Sequence, residues 1–165
     1  MKHLYTKTSQ INGKGLYTAE PVAKGGHIAF INGEQKTKVI KSKKDAQTIP
    51  TWYGLTESEW IDPTGTVWAY FNHSCSPNTA IVGTKKLIAL KNIKKDTELT
   101  FDYSMTDGDI HWELEYKCNC GSKNCRERIH SIQRISEDAF QKHMPYIPKY
   151  FVQLRKRYLQ SAKIK

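Results

Sequence analysis

A mainly β fold of the α+β class, closing on one helix, is what this sequence predicts, and three observations carry that reading. Apolar residues come in short runs such as Ile28-Ala29-Phe30-Ile31 and Leu87-Ile88-Ala89-Leu90. Turn signals separate them at short intervals: Asn12-Gly13-Lys14-Gly15, Lys24-Gly25-Gly26 and Asn32-Gly33. Helical spacing of apolar residues appears after Pro148, at Phe151, Leu154, Tyr158 and Ala162.

In chain order, Leu16–Ala19 is strand-like and Glu20-Pro21 bends away from it. A second strand is expected over His27–Ile31, with Asn32-Gly33 as a hairpin turn. Residues 35–45 carry Lys36, Lys38, Lys41, Lys43 and Lys44 and belong on the surface. Residues 50–71 are rich in aromatics, among them Trp52, Tyr53, Trp60 and Trp68. Further strands are expected at Thr79–Gly83, Leu87–Leu90 and Glu98–Tyr103. The final helix should run about four turns, with Pro148 acceptable at its start.

At 165 residues the chain supports one domain with a small appendage, and 38% hydrophobic with 11% aromatic residues is enough for a core. No apolar run is long enough for a membrane-spanning helix, and Met1–Thr6 lacks the apolar stretch of a secretory signal. An intracellular protein with no membrane partner is therefore expected. The net charge of +10 is concentrated at the end: residues 141–165 hold Lys142, Lys149, Arg155, Lys156, Arg157, Lys163 and Lys165 and no acid. Such a tail is either a solvated helix face or a surface for an anionic partner such as DNA. Asn72-His73-Ser74 fits the glycosylation acceptor pattern, which carries no weight in a chain expected to be intracellular.

The four cysteines form the sharpest local signal. Cys118, Cys120 and Cys125 fall within eight residues around Gly121, and Cys75 is the remaining thiol. Three clustered thiolates need a fourth ligand for a tetrahedral zinc site, and a closed four-ligand site is structural. A disulfide framework is the competing reading, and an intracellular location disfavours it.

Asn72-His73-Ser74-Cys75-Ser76-Pro77-Asn78, followed by Glu98-Leu99-Thr100-Phe101-Asp102-Tyr103, resembles the SET-domain protein-lysine methyltransferases. Their cysteine-rich post-SET segment, C-x-C-G-x4-C, is similar to Cys118 through Cys125, and the family's fourth zinc ligand falls on Cys75. Gly13-Lys14-Gly15-Leu16 looks like the family's opening G-x-G motif, and Ile61–Gly65 is a looser echo of the segment before the NHSC motif. The likeness runs from about residue 12 to 129. It implies a fold of small twisted sheets, a threaded pseudoknot and a C-terminal helix. It divides the chain into a SET domain at 1–116, a post-SET zinc segment at 117–130 and a basic helical extension at 131–165.

The resemblance also implies a chemistry: methyl transfer from S-adenosylmethionine to a lysine amine. A lysine with a pKa of about 10.4 must first lose its proton, and an apolar channel beside a sulfonium cation favours that loss. Tyr103 is then the catalytic candidate, its hydroxyl orienting the amine, and Phe101 occupies the position where Phe permits di- or trimethylation. Lys14, Gly15, Leu16, Asn72, His73 and Tyr116 would contact the cofactor, with Tyr53 a further candidate. The expected partner is a protein carrying the target lysine, a histone tail foremost, with DNA or nucleosome contact through Arg155, Lys156 and Arg157. Location would be nuclear in a eukaryotic or viral setting, and that of a host-directed effector in a bacterial one.

Three departures from the family pattern stand out. Ile31 replaces an early Tyr, Ala69 an Arg, and Glu127 the Gly that often follows Cys-Arg. The alternative, from another class, is a non-catalytic, zinc-stabilised module that binds nucleic acid or an acidic protein.

Overall fold

A computed structural model describes residues 2–48 and 51–162; Lys163 and Lys165 of the basic tail lie outside the described residues. Strand β1 (Leu4–Thr8) turns through Gly13, at φ +47°, into β2 (Lys14–Thr18). Only glycine adopts that left-handed geometry without cost. The hairpin is antiparallel, and β2 also pairs with β9 (Glu98–Leu99). A second sheet runs in the order β3 (His27–Phe30), β8 (Lys86–Ala89), β7 (Thr79–Val82). A third runs β4 (Glu34–Thr37), β6 (Glu59–Asp62), β5 (Tyr53–Gly54). All pairings within the three sheets are antiparallel.

The sheets share one core, in which Leu16, Ile28, Ile31, Ile61, Leu87 and Leu99 are almost wholly buried. β1 and β4 are short, with largely exposed or half-buried faces, which suits edge strands.

Asn32-Gly33 does not make the expected hairpin, because β3 and β4 lie in different sheets. Ile31 N donates to Lys85 O, so the chain stays in the second sheet up to that residue and then crosses to the third. Gly33 serves the crossing by close approach: a Cβ there would overlap the Asp62 carbonyl. The strand expected over Glu98–Tyr103 is likewise cut short at Leu99.

After Leu99 the backbone takes a different partner. Thr100–Asp102 runs beside Asn72–Thr79, with a parallel bridge between His73 and Phe101. Phe101 N donates to Asn72 O at 3.3 Å and Ser74 N to Phe101 O at 3.0 Å. Asn78 fixes the register through its side chain: Oδ1 accepts from Thr100 N at 2.8 Å and Nδ2 donates to Glu98 O at 2.7 Å. These cross-connections are pseudoknot-like, and with the three small sheets and the terminal helix they give the SET topology.

Two helices carry no clear apolar period in the sequence. The lysine-rich segment contains α1 (Lys43–Gln47), capped by Ser42, whose side chain accepts from Asp45 N. Further on, α2 (Glu137–His143) is capped by Ser136 and has Glu137 and Asp138 in its first turn, favourable against the helix dipole. The final helix, α3 (Lys149–Ala162), has the 14 residues that about four turns require. Its inner face packs Phe151 with Ile132, Ile135, Phe140 and Ile147 into a second, smaller core. Ala162, expected on the apolar stripe, is exposed, while Arg155 joins the buried face.

Candidate functional site

The glycine turn between β1 and β2 is held by a carboxylate from more than 80 residues further along the chain. Glu98 accepts from Ser9 Oγ at 2.8 Å, Asn72 Nδ2 at 2.9 Å and Tyr17 OH at 3.2 Å. A Cβ on Gly15 would run into that carboxylate, which explains the glycine. The Asn72 amide also reaches Asn12 O at 3.1 Å and Lys14 O at 3.0 Å, fastening the turn to the Asn72–Cys75 segment.

Beside this turn opens a cavity of about 410 Å³. Asn12, Gly13, Lys14 and Asn72 line one side; Tyr53, Phe71, Phe101 and Tyr103 line another; Trp112 and Tyr116 contribute from the chain after Asp107. The aromatic wall is continuous, with ring centroids at 5.4 Å for Tyr53–Phe101, 4.5 Å for Phe71–Phe101 and 4.9 Å for Phe101–Tyr103. Lys14 Nζ sits 5.5 Å from the Tyr70 ring. Half-exposed Tyr116 bridges the mouth, its hydroxyl accepting from Asn12 Nδ2 at 3.0 Å.

The Tyr103 hydroxyl donates to Phe71 O at 3.0 Å. Burial first, and then Tyr116, push the phenol well above its usual pKa, so it stays protonated and remains a donor. Burial also takes the His73 imidazole down to about 4, against the opposing pull of Asp102. The neutral ring accepts from Tyr103 N at Nδ1, 3.2 Å, which leaves Nε2–H facing Cys75 Sγ at 3.2 Å.

The sequence-derived site residues thus fall into three places. Lys14, Tyr53, Asn72, Phe101, Tyr103 and Tyr116 meet around the cavity. Gly15 and Leu16 stand behind the turn, with the Leu16 side chain in the core. His73 lines a narrow recess shared with Asn72, Tyr103, Tyr116 and Cys118, and its ring is committed to protein contacts. Its backbone N–H and C=O enter no hydrogen bond among the described residues. Ile31 lies in the main core, away from the cavity lining, and Ala69 lines it.

The cysteines converge from two distant segments. Cys75, Cys118, Cys120 and Cys125 place their sulfur atoms within 4.8 Å of one another, and all four are unpaired. Tetrahedral zinc with bonds of about 2.3 Å sets its sulfurs about 3.8 Å apart, so the cluster fits the ion. Amide donors already point at the sulfurs: Arg126 N to Cys75 Sγ at 3.3 Å, Glu127 N to Cys125 Sγ at 3.4 Å and Cys75 N to Cys120 Sγ at 3.5 Å. Burial pushes the Cys75 and Cys118 thiols up, so four thiolates together call for a cation.

Glu127, at the departure from Cys-Arg-Gly, holds φ +59°. The backbone keeps the left-handed turn that glycine would adopt freely, and Glu127 carries the strain.

The SET-domain family profile matches residues 13–104, more than half of the chain. The chain belongs to the SET-domain family. It is 31% identical over 141 residues to a putative histone-lysine N-methyltransferase 1 of Plasmodium falciparum, covering 76% of this chain and 2% of that protein. It is 30% identical over 132 residues to histone-lysine N-methyltransferase 2B of Homo sapiens, covering 72% and 5%. Against an H3 lysine-4-specific enzyme of Aspergillus oryzae the identity is 29% over 135 residues, covering 72% and 11%. The chain therefore spans a small part of each of these relatives. The methyltransferase domain of human SETMAR superposes with a TM-score of 0.58 at 23% identity, covering 79% of this chain and 59% of that one, a likeness of fold.

Two residues of the site were missed by sequence reasoning. Glu98 opens a motif that was read, yet nothing local says that its carboxylate anchors a turn more than 80 residues away. Trp112 has no spacing signal at all. Arg155, away from the site, was expected to contact DNA although it lies four residues after Phe151 on the same helical face.

Proposed function

We propose that this chain is an S-adenosylmethionine-dependent protein-lysine N-methyltransferase. The observation that carries the proposal is the phenol of Tyr103 in an aromatic cavity that is also lined by Gly13 and Lys14 of the turn clamped by Asn72 and Glu98. S-adenosylmethionine, when bound, supplies the methyl group as a sulfonium electrophile. Lys14 and the backbone around Gly15 and Leu16 would hold its methionine end, with Asn72 at its amino group. The open His73 backbone would meet the adenine, and Tyr116 would cover it.

On the other side, Tyr53, Phe71 and Phe101 form a wall for an aliphatic lysine stem. Tyr103 directs the amine, and the apolar surroundings favour the neutral amine that must attack. Phe101, having no hydroxyl, leaves room for a methylated amine to rotate and react again, so di- and trimethyl-lysine are expected products. Zn²⁺ held by Cys75, Cys118, Cys120 and Cys125 would fix residues 117–130 against the SET core at 1–116, leaving 131–165 as a helical extension.

The substrate we favour is a histone tail, as the names of the curated relatives suggest, which also points to chromatin as the location. The DNA-facing role is narrower than the sequence implied. Arg155 is 4% exposed and donates to Ile132 O at 2.8 Å, Ile135 O at 2.9 Å and Gln133 O at 3.2 Å, so it is removed from that role. Lys142, Lys149, Lys156 and Arg157 remain exposed for phosphate contact, which must weaken steeply with salt.

The test is incubation with methyl-labelled S-adenosylmethionine and a panel of histones and other basic proteins, followed by mass-spectrometric mapping. Labelled lysine carrying two or three methyl groups is expected. No transfer to any protein lysine contradicts the assignment, and monomethyl-lysine alone after long incubation contradicts the role of Phe101.

A further inference from the structure

Asp102, between Phe101 and Tyr103, has its carboxylate buried to 1% exposure. Arg126 Nη2 donates to its Oδ1 at 2.6 Å, and Ser104 N donates to the same oxygen at 3.1 Å. His143 of α2 stands with Nε2 3.5 Å from Oδ2, and His73 Nδ1 lies 3.7 Å from Oδ1. Arg126 directly follows Cys125, and its own amide donates to Cys75 Sγ. Two connections therefore run from the cysteine junction to Tyr103. One passes from Cys75 Sγ through the His73 ring to the Tyr103 amide. The other passes from Cys75 Sγ through Arg126 to the carboxylate adjoining Tyr103.

We propose that Arg126, Asp102 and His73 are positioning residues that make the placement of Tyr103 depend on the geometry of the four-cysteine junction. The role assigned to Tyr103 rests on the methyltransferase reading; the mechanical coupling does not. A buried carboxylate paired with a single guanidinium holds the two segments that carry Asp102 and Arg126 together, because separating the pair leaves a charge away from water. The Tyr103 amide bond to His73 and its hydroxyl bond to Phe71 then set both ends of the residue. A metal that draws Cys75 and Cys125 together also sets where Arg126 can reach. The junction would thus act on turnover as well as on stability.

The experiment compares wild type with Arg126→Met, Asp102→Asn and Arg126→Lys in the zinc-loaded full chain. Zinc stoichiometry, cofactor affinity by calorimetry, turnover and amide hydrogen exchange at Tyr103 are measured for each. Arg126→Met and Asp102→Asn should keep one zinc per chain and a cofactor Kd within about threefold of wild type. Turnover should fall about tenfold or more, and Tyr103 amide exchange should rise about tenfold while the amides of β7 and β8 stay protected. Arg126→Lys, which retains the charge, should restore most of both. If either charge-removing variant fails to fold, the other decides.

Unchanged Tyr103 exchange in the folded variants overturns the coupling, as does a turnover loss that merely follows zinc or cofactor loss. Because the exchange measurement needs no activity, a wild type that transfers no methyl group sinks the functional reading alone.

Discussion

Arg155 and Arg126 are both drawn beneath the surface, yet their surroundings differ. The Arg155 guanidinium is shared among three backbone carbonyls and Glu137, and stacks 4.7 Å from the Phe140 ring. Arg126 gives one side-chain bond to Asp102, and its Nε and Nη1 find no partner. The C-terminal module therefore meets most of its polar needs with its own chain. The cysteine junction gathers four thiols, a buried carboxylate and a half-satisfied arginine, an arrangement that a cation among the sulfurs would stabilise. One region is scaffold; the other has the donor set of a ligand-dependent junction.

Metal removal should separate them most sharply. A four-thiolate zinc site contributes on the order of 10 kcal/mol. Chelation should expose residues 117–130 to protease and weaken cofactor binding, while residues 131–162 stay resistant. Equal cleavage of both segments would erase the distinction. Next in size, Arg155→Met strands three carbonyls and should cost about 3 kcal/mol in urea unfolding without reducing zinc content. A loss below about 1 kcal/mol would mean that the extension does not depend on it. Gly15→Ala should cost about 2 kcal/mol through overlap with Glu98, together with weaker cofactor binding in calorimetry. The smallest effect is a gain. Glu127→Gly relieves the positive φ and should stabilise by about 0.5 kcal/mol, since the exposed Lys117–Glu127 pair that it gives up is worth little.

Legibility in the sequence follows the same division. The cysteine spacing, the Asn72–Cys75 segment and Glu98–Tyr103 were readable because each motif is local and its chemistry demands those residue types. The helical period predicted α3, and the strand and turn signals located β2, β3, β7, β8 and the start of β9, but no strand of the third sheet. What stayed hidden was long-range. Asn32-Gly33 has the local form of a hairpin and makes a crossing, because its partner is Asp62 rather than its neighbours. Arg155 carries a charge on a buried face, and the carbonyls of Ile132, Gln133 and Ile135 together with Glu137 explain it. The Asp102 hub joins four segments, none of which announces the others.

The central claim, that Tyr103 directs methyl transfer to lysine, meets its most direct test in Tyr103→Phe. Methyl transfer and cofactor affinity would be measured on the same zinc-loaded preparations of variant and wild type. Transfer should fall about 100-fold or more at an essentially unchanged cofactor Kd. Transfer within a few-fold of wild type, with the cofactor still bound, would contradict it.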